Sequence, residues 1–329
     1  MSARSEAPAN LSIVVVTWRS AHDLRRLIAS MRRHLDDRTE LVVVDNASGD
    51  GIAAVAAAWP GRRRFIELER NVGFGAAANR GVEAAAGEAI ELLNPDTELV
   101  DGSVEALGRF ALDRRALAGP RLLGSDGSPQ PSASGPPTGA WPWLGAVVPG
   151  RLQSRSLQAH TEPWRLERTV EVAWLTGACV AAPRDLLLRL GPYDPSIHLY
   201  GEDMDLGLRA AATGIPSYFC PDLARVVHHG WGSTSQRFPG GPWDLIARNR
   251  RAVLRRAYGV RRERAAQGAL LLNLGLRAMA KGALGREAEA ERATLRALLG
   301  ARQRSERTRQ RGERPKGQPA GETRWTGSS

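Results

Sequence analysis

The chain has 329 residues, 42% of them apolar and 25% charged, a balance that supports one large or two small units with substantial cores and excludes a wholly disordered chain. Its net charge of +11 comes from the C-terminal region: from Arg248 onward 21 Lys/Arg face 7 Asp/Glu, a net of +14, which leaves residues 1–247 at −3. That distribution, with neither aromatic-interleaved basic strands nor a helix-turn-helix or zinc-finger pattern, argues against a nucleic-acid-binding main domain.

Residues 1–10 are polar and expected to be disordered. The apolar run that follows is only strand-length and ends at Thr17, so no signal peptide is read. No stretch is long and uncharged enough to span a bilayer. Cys179 and Cys220 lack CxxC spacing and sit in apolar segments, which suits buried thiols in a reducing cytoplasm. From there the chain alternates: strand 12–17, helix 23–34, strand 41–45, helix 51–59, strand 64–68, helix 75–86 and strand 89–93. Such alternation predicts βαβ crossovers and a parallel sheet covered by helices. In sheets of this kind ligands bind at the carboxyl ends of the strands, where Thr17, Asp45 and Asp96 fall.

Between Gly119 and Trp164 the pattern gives way to Gly, Pro, Ser and Trp, and a long irregular loop or flap is expected. Strand 177–182, helix 184–190, a turn at Gly191-Pro192-Tyr193-Asp194-Pro195, helix 202–213 and strands 215–220 and 224–228 follow. The remainder reads as basic helix, with a polar, Arg-rich tail from about Arg302 expected to be disordered.

Several motifs now stand in order: Val14-Val15-Val16-Thr17-Trp18; Val44-Asp45-Asn46-Ala47-Ser48; Asn71-Val72-Gly73-Phe74-Gly75 with Asn79 and Gly81; and Leu93-Asn94-Pro95-Asp96. Thr176-Gly177-Ala178, Tyr193-Asp194, Tyr200-Gly201-Glu202-Asp203-Met204-Asp205 with Arg209, and His228 with Ser233 complete the set. Over residues 11–256 the chain resembles a family 2 glycosyltransferase of the glycosyltransferase A fold, in the rhamnosyltransferase-like subgroup. The resemblance implies an α/β fold with a Rossmann-like, mostly parallel sheet flanked by helices. It divides the chain into a catalytic domain at 11–247, a basic helical extension at 248–301 and a tail at 302–329. Within the catalytic domain a donor half is expected at 11–100, a flexible loop at 124–165 and an acceptor half at 170–235.

A nucleoside diphosphate sugar brings two phosphates, and breaking the sugar–phosphate bond leaves more negative charge on the diphosphate. A divalent cation bridging both phosphates stabilises that leaving group. Asp96 offers the oxygen that Mg²⁺ or Mn²⁺ prefers. The family often carries Asp-x-Asp here; Asn94 in the first place removes one anionic ligand and implies a weaker or partly water-coordinated metal. The resemblance places an imidazole ligand at His228, which otherwise reads as a packed strand-end histidine. Whether His228 or His229 faces the site stays open, since neighbours on a strand point opposite ways. Thr17, Asp45, Asn71, Gly73, Asn79, Asn94 and Asp96 are the donor-binding candidates by resemblance. Asp45 also lies in a run rich in capping and turn residues, and Gly73 would open a turn that lets backbone approach the donor.

Transfer with inversion needs a base that removes the acceptor hydroxyl's proton. By resemblance that base is Asp203, with Glu202 second or orienting the acceptor; otherwise both merely complement the helix dipole. Arg209 is expected to pair with Asp205, and Leu206 and Ala210 to pack inward. The donor implied is deoxythymidine diphosphate rhamnose, with a uridine diphosphate hexose or N-acetylhexosamine as alternative. The acceptor is a cell-envelope glycan or polyprenyl-linked glycan. Two other classes fit less well. A dinucleotide enzyme lacks its third glycine after Gly73 and Gly75, and a non-catalytic scaffold would be expected to have lost Asp96 or Asp203. The apolar stretch 269–276, interrupted by Arg277 and Lys281, suits an interfacial helix on an anionic cytoplasmic membrane surface. An ordinary domain-closing helix with a solvated tail fits equally, and oligomeric state is left open.

Overall fold

The computed structural model describes residues 11–230, 241–283, 285 and 287–310, the last ten as backbone only. The first part runs β1 (Leu11–Thr17), α1 (Ala21–His34), β2 (Glu40–Asp45), α2 (Ile52–Ala56), β3 (Arg63–Glu67), α3 (Phe74–Ala84) and β4 (Ala89–Leu93), the alternation expected with small shifts of boundary. Then come β5 (Thr97–Leu99), α4 (Ser103–Arg114), β6 (Leu117–Gly119), β7 (Arg121–Leu123), β8 (Ala133–Ser134), α5 (Trp141–Val147), α6 (Arg155–Thr161), β9 (Val170–Val172) and β10 (Trp174–Leu175). The chain continues with β11 (Cys179–Pro183), α7 (Arg184–Leu190), α8 (Glu202–Ala212), β12 (Ser217–Phe219), β13 (Arg225–His228), α9 (Trp243–Ala283) and α10 (Glu289–Gln310).

Eight strands form the main sheet in the order β3-β2-β1-β4-β11-β6-β12-β9. Its first four strands are parallel to one another, and β11 turns the sheet by pairing antiparallel to β4. Every residue of β1, β2 and β4 is buried, as strands covered on both faces require. One face packs against α1 and α4 through Leu24, Leu27, Val104 and Leu107. The other packs against α3 and α8 through Ala78, Val82 and Leu206. Gly81 explains how closely α3 sits: a Cβ there would stand 2.3 Å from Val14 Cγ1. A second, three-stranded sheet, β5-β13-β7, stands beside the first.

The segment expected to be irregular is so only in part. Residues 119–164 hold β7, β8, α5 and α6, because prolines can occupy positions that need no N–H. Pro142 lies in the first turn of α5, where a helix leaves its donors unpaired in any case. The C-terminal helix runs past 301 to Gln310. Residues 1–10 and 311–329, expected to be disordered, lie outside the described residues. Both cysteines are free and buried. No helix of the described residues is long and apolar enough to cross a membrane.

One core group is a carboxyl. Glu91 on β4 is fully buried, takes a hydrogen bond from Cys179 Sγ at 3.5 Å and leaves Oε1 without a partner. Burial pushes its pKa up to about 8, so it is neutral at pH 7. The folded state then holds a proton that the unfolded chain releases above its ordinary carboxylate pKa of about 4.3. Stability from this group is complete below that value and lost as pH rises to about 8. Glu91→Gln is therefore expected to flatten the fall in unfolding free energy across that window, by a few kcal/mol. Denaturant titrations at pH 5 and pH 8.5 check it, and equal pH slopes for variant and wild type would refute it.

Candidate active site

The carboxyl ends of β1 and β2 are tied together. Thr17 and Asp45 are register partners, and Thr17 Oγ1 donates to Asp45 Oδ1 at 3.1 Å. The same carboxylate accepts from the Ser48 backbone N–H at 3.1 Å and from the Ser48 hydroxyl. Asp45 thus closes a turn; α2 begins later, at Ile52, after Gly51 and with no side-chain cap. Asn46 carries the order on: its Oδ1 accepts from Val72 N at 2.9 Å, and its Nδ2 donates to Asn71 Oδ1 and Gly73 O, both at 3.2 Å. Gly73 has φ +92°, and a Cβ there would stand 2.6 Å from His198 O. Only glycine fits that passage.

Beside this network lies an open cleft of about 580 Å³ whose lining includes Asn94, Asp96, Glu202, Asp203 and His228. The structure thus brings the expected metal and base candidates to one place. Thr17, Asp45, Asn71, Gly73 and Asn79 are not part of that lining. Asn79 faces the chain itself: its Nδ2 donates to Tyr193 O and its Oδ1 accepts from Tyr193 N, each at 2.9 Å. Its amide copies a strand-like pairing between α3 and the 191–195 turn.

His228 faces Asp96, with Nε2 3.5 Å from Asp96 Oδ1. His229 points the other way, toward Ser125 and Glu98. Gln130 fixes the imidazole's tautomer. Its Nε2 donates to His228 O at 2.8 Å, which turns its Oε1 toward His228 Nδ1 at 3.0 Å. Nδ1 therefore carries the hydrogen, and in the neutral ring Nε2 presents a lone pair to the Asp96 carboxylate. Two electron-pair donors facing each other are complementary to a proton or a metal cation. Among the described residues no group of three His, Cys, Asp or Glu gathers to hold a metal, so a cation here would need further oxygens from substrate or water.

Glu202 and Asp203 open α8. Burial raises the pKa of both, and each carboxylate's charge works against the other's. Asp203 accepts from Met204 N at 2.7 Å and Gly177 N at 3.3 Å, bonds that favour its charged form, whereas Glu202 Oε2 has no partner. The proton shared by such a pair rests more readily on Glu202. The Tyr193 hydroxyl, also unpartnered, is pushed up by burial and then by these two charges. Asp205 and Arg209 form the expected pair at 2.8 Å. Arg209 also donates to Leu190 O, Gly191 O and Pro192 O, capping the carbonyl end of α7. Leu206 and Ala210 pack inward. Ser233, quoted with His228, lies outside the described residues.

Residues 12–145 match the family described as "Glycosyl transferase family 2". Over 243 residues the chain is 31% identical to the N-acetylglucosaminyl-diphospho-decaprenol L-rhamnosyltransferase of Mycobacterium tuberculosis, covering 69% of this chain and 78% of that protein. The chain belongs to glycosyl transferase family 2. The transferase is also 40% identical over 88 residues to the succinoglycan biosynthesis protein ExoO of Rhizobium meliloti, 26% of this chain and 25% of that one. In three dimensions it is similar to GalNAc-T7, solved with UDP, GalNAc and Mn²⁺, at a TM-score of 0.57, 19% identity and coverage of 76% and 49% of the two chains. The mannosyltransferase PcManGT of Pyrobaculum calidifontis, solved with GDP-Man and Mn²⁺, gives 0.56, 16%, 90% and 86%. The fold is glycosyltransferase A, and the enzyme is a nucleotide-sugar-dependent glycosyltransferase.

Gln130 and Asn249 were not singled out by the sequence, and Asn46 stood there only within the Val44–Ser48 motif, with no role of its own. Gln130 did carry one cue: a polar side chain set between Pro129 and Pro131, on backbone that cannot close a helix. The doubly bonded amide of Asn79 gives a direct expectation. Asn79→Ala leaves a buried backbone N–H and C=O of Tyr193 unpaired and should cost about 1–3 kcal/mol with little change in donor KM. Thermal unfolding beside donor kinetics checks this, and a raised KM at wild-type Tm would restore Asn79 to the donor site.

Proposed function

We propose that the transferase moves its sugar with inversion onto a cell-envelope or lipid-linked glycan, with deoxythymidine diphosphate rhamnose as donor. The observation that carries this reading is a single cleft that collects the Asp96–His228 pair and the buried Glu202–Asp203 pair. Asp203, charged and held by two backbone N–H groups, takes the proton of the acceptor hydroxyl as its oxygen attacks the anomeric carbon. The bond from that carbon to the phosphate oxygen breaks, and its electron pair leaves with the diphosphate. Glu202, neutral, can donate a hydrogen bond that orients the acceptor.

Asp96 and the lone pair of His228 Nε2 would hold a divalent cation, Mg²⁺ or Mn²⁺, and diphosphate oxygens and water would complete its shell. When bound, that ion supplies charge stabilisation of the departing diphosphate. GalNAc-T7 and PcManGT were both solved with Mn²⁺. The rhamnose assignment rests on the mycobacterial relative; a uridine diphosphate hexose or N-acetylhexosamine is the alternative donor. Thr17, Asp45, Asn71, Gly73 and Asn94 belong to the donor side, through the turns they close.

The surface suits an acceptor carried by lipid. Leu272, Leu276 and Met279 are exposed on α9 at the spacing of one helix face. Trp143, Leu144 and Val147 are exposed on α5, which packs on α9 through Asn273 Nδ2 to Gly145 O at 3.2 Å. Arg261 and Arg264 are exposed on α9, and Arg151 and Arg155 are exposed after α5 and at the start of α6. Apolar side chains among cations fit an interfacial contact with an anionic bilayer.

Transfer assays across nucleotide sugars test the chemistry. Asp96→Ala or chelator is expected to abolish nearly all turnover, whereas Asp203→Asn keeps donor binding and loses about 10²–10⁴ in rate. Full activity in chelator removes the ion from the mechanism, and normal transfer by Asp203→Asn removes the base.

Sedimentation with vesicles containing anionic lipid tests the surface. Wild type is expected to co-sediment at low salt, and Leu272→Glu with Leu276→Glu to stay in solution. A cut before Arg261 would not serve, because it removes buried Glu263 and Ala266. Equal binding by variant and wild type, or none by wild type, would overturn the docking.

A further inference from the structure

The two acids of α8 stand directly after an unusual turn. Tyr200 has φ +62° and Gly201 φ +96°, two successive residues in the left-handed region, which a bulky side chain enters at a cost of about 1–2 kcal/mol. Such a turn persists only where its surroundings hold it. The carbonyls of Leu199 and Tyr200 converge on one donor, Asn249 Nδ2, which lies 2.9 Å from each. The approach is close: a Cβ on Gly201 would stand 3.3 Å from Asn249 Cβ. Gly201 O then accepts from Asp205 N at 2.9 Å, the first bond of α8.

Asn249 is itself well placed to hold its ground. It stands on α9, whose Arg256 binds Asp194 and Asp205 and whose Val253 and Leu254 pack with Ile197, Met204 and Leu208. Farther along α9, Glu263 is fully buried and accepts from Arg251 and Arg255, which ties together the two parts of the helix on either side of Gly259, whose φ is +80°. Leu199 and Tyr200 line the same cleft as Glu202 and Asp203.

From this we infer that Asn249 is a positioning residue: its amide holds the Leu199–Gly201 turn in the conformation that aims Asp203 and Glu202 into the cleft, and it acts through backbone alone. The inference rests on Asp203 as the base. A misplacement of about 1 Å at a reacting group can cost roughly 10² in rate, so loss of the clamp should fall on kcat and leave donor KM nearly unchanged.

Two full-length variants separate this role from simple packing. Asn249→Asp keeps the side chain's shape and cannot donate; Asn249→Ala loses both shape and donor. Both are expected to lower kcat by about 10- to 100-fold with donor KM within about threefold. Hydrogen exchange should speed up in the peptide spanning 199–205 and stay unchanged in the strands of the main sheet. Wild-type kcat in Asn249→Asp overturns the inference, as does a loss that follows donor KM or a lowered global Tm. Unchanged exchange at 199–205 overturns the clamp whichever group is the base. Normal transfer by Asp203→Asn alongside a defective Asn249→Asp would instead condemn the base assignment and leave the clamp standing.

Discussion

The antiparallel pairing of β11 with β4 is the contact on which the site depends. It sets Cys179 opposite Leu93, and one residue beyond the ladder Asn94 N donates to Ala178 O at 2.9 Å. The parallel half of the sheet ends there at the Asn94–Asp96 turn, and the later half begins with Gly177, whose N–H reaches Asp203. Two segments far apart in sequence meet because two strands share hydrogen bonds. A slip of one residue would turn each side chain of β11 to the opposite face and carry Gly177 away from the acid it supports.

Around that seam the loops are held by carboxamides. Asn46 bonds the 71–73 backbone, Asn79 the backbone of Tyr193, Gln130 the carbonyl and ring of His228, and Asn249 the two carbonyls before α8. A carboxamide carries both a donor and an acceptor and no charge. It can satisfy irregular backbone without adding a field to a site whose work is done by charge.

How much of this was legible follows from length scales. Strands β1, β2 and β4 are continuous apolar runs, and their helices are several turns long, so pattern alone found them. Strands β5, β6 and β9 hold three residues each, too few to show a period, and owe their state to distant partners. Asp96 and Asp203 stood out because a carboxylate at a strand end or helix start is chemically conspicuous. Asn249 was silent and Gln130 nearly so, since a lone amide in a basic helix or a proline-rich segment looks like any solvated side chain until its backbone partner is known. Asn79 shows the same limit: a polar residue near a glycine turn reads as ligand-facing, and only the fold reveals that its amide bonds the backbone of Tyr193.

The burial pattern of α9 bears on how freely the protein could exchange parts with its relatives. The last buried side chain of that helix is Ala269, and its exposed Leu272, Leu276 and Met279 lie beyond it. Recombination that joined a foreign tail ahead of Asn249 would sever the amide and guanidinium contacts around α8, and one before Ala269 would remove buried side chains of α9, even though every recognisable acidic motif was inherited intact. A junction placed later would leave the catalytic half whole. Descent can therefore vary the exposed end of α9 while the stretch from Asn249 to Ala269 stays tied to the cleft it never enters.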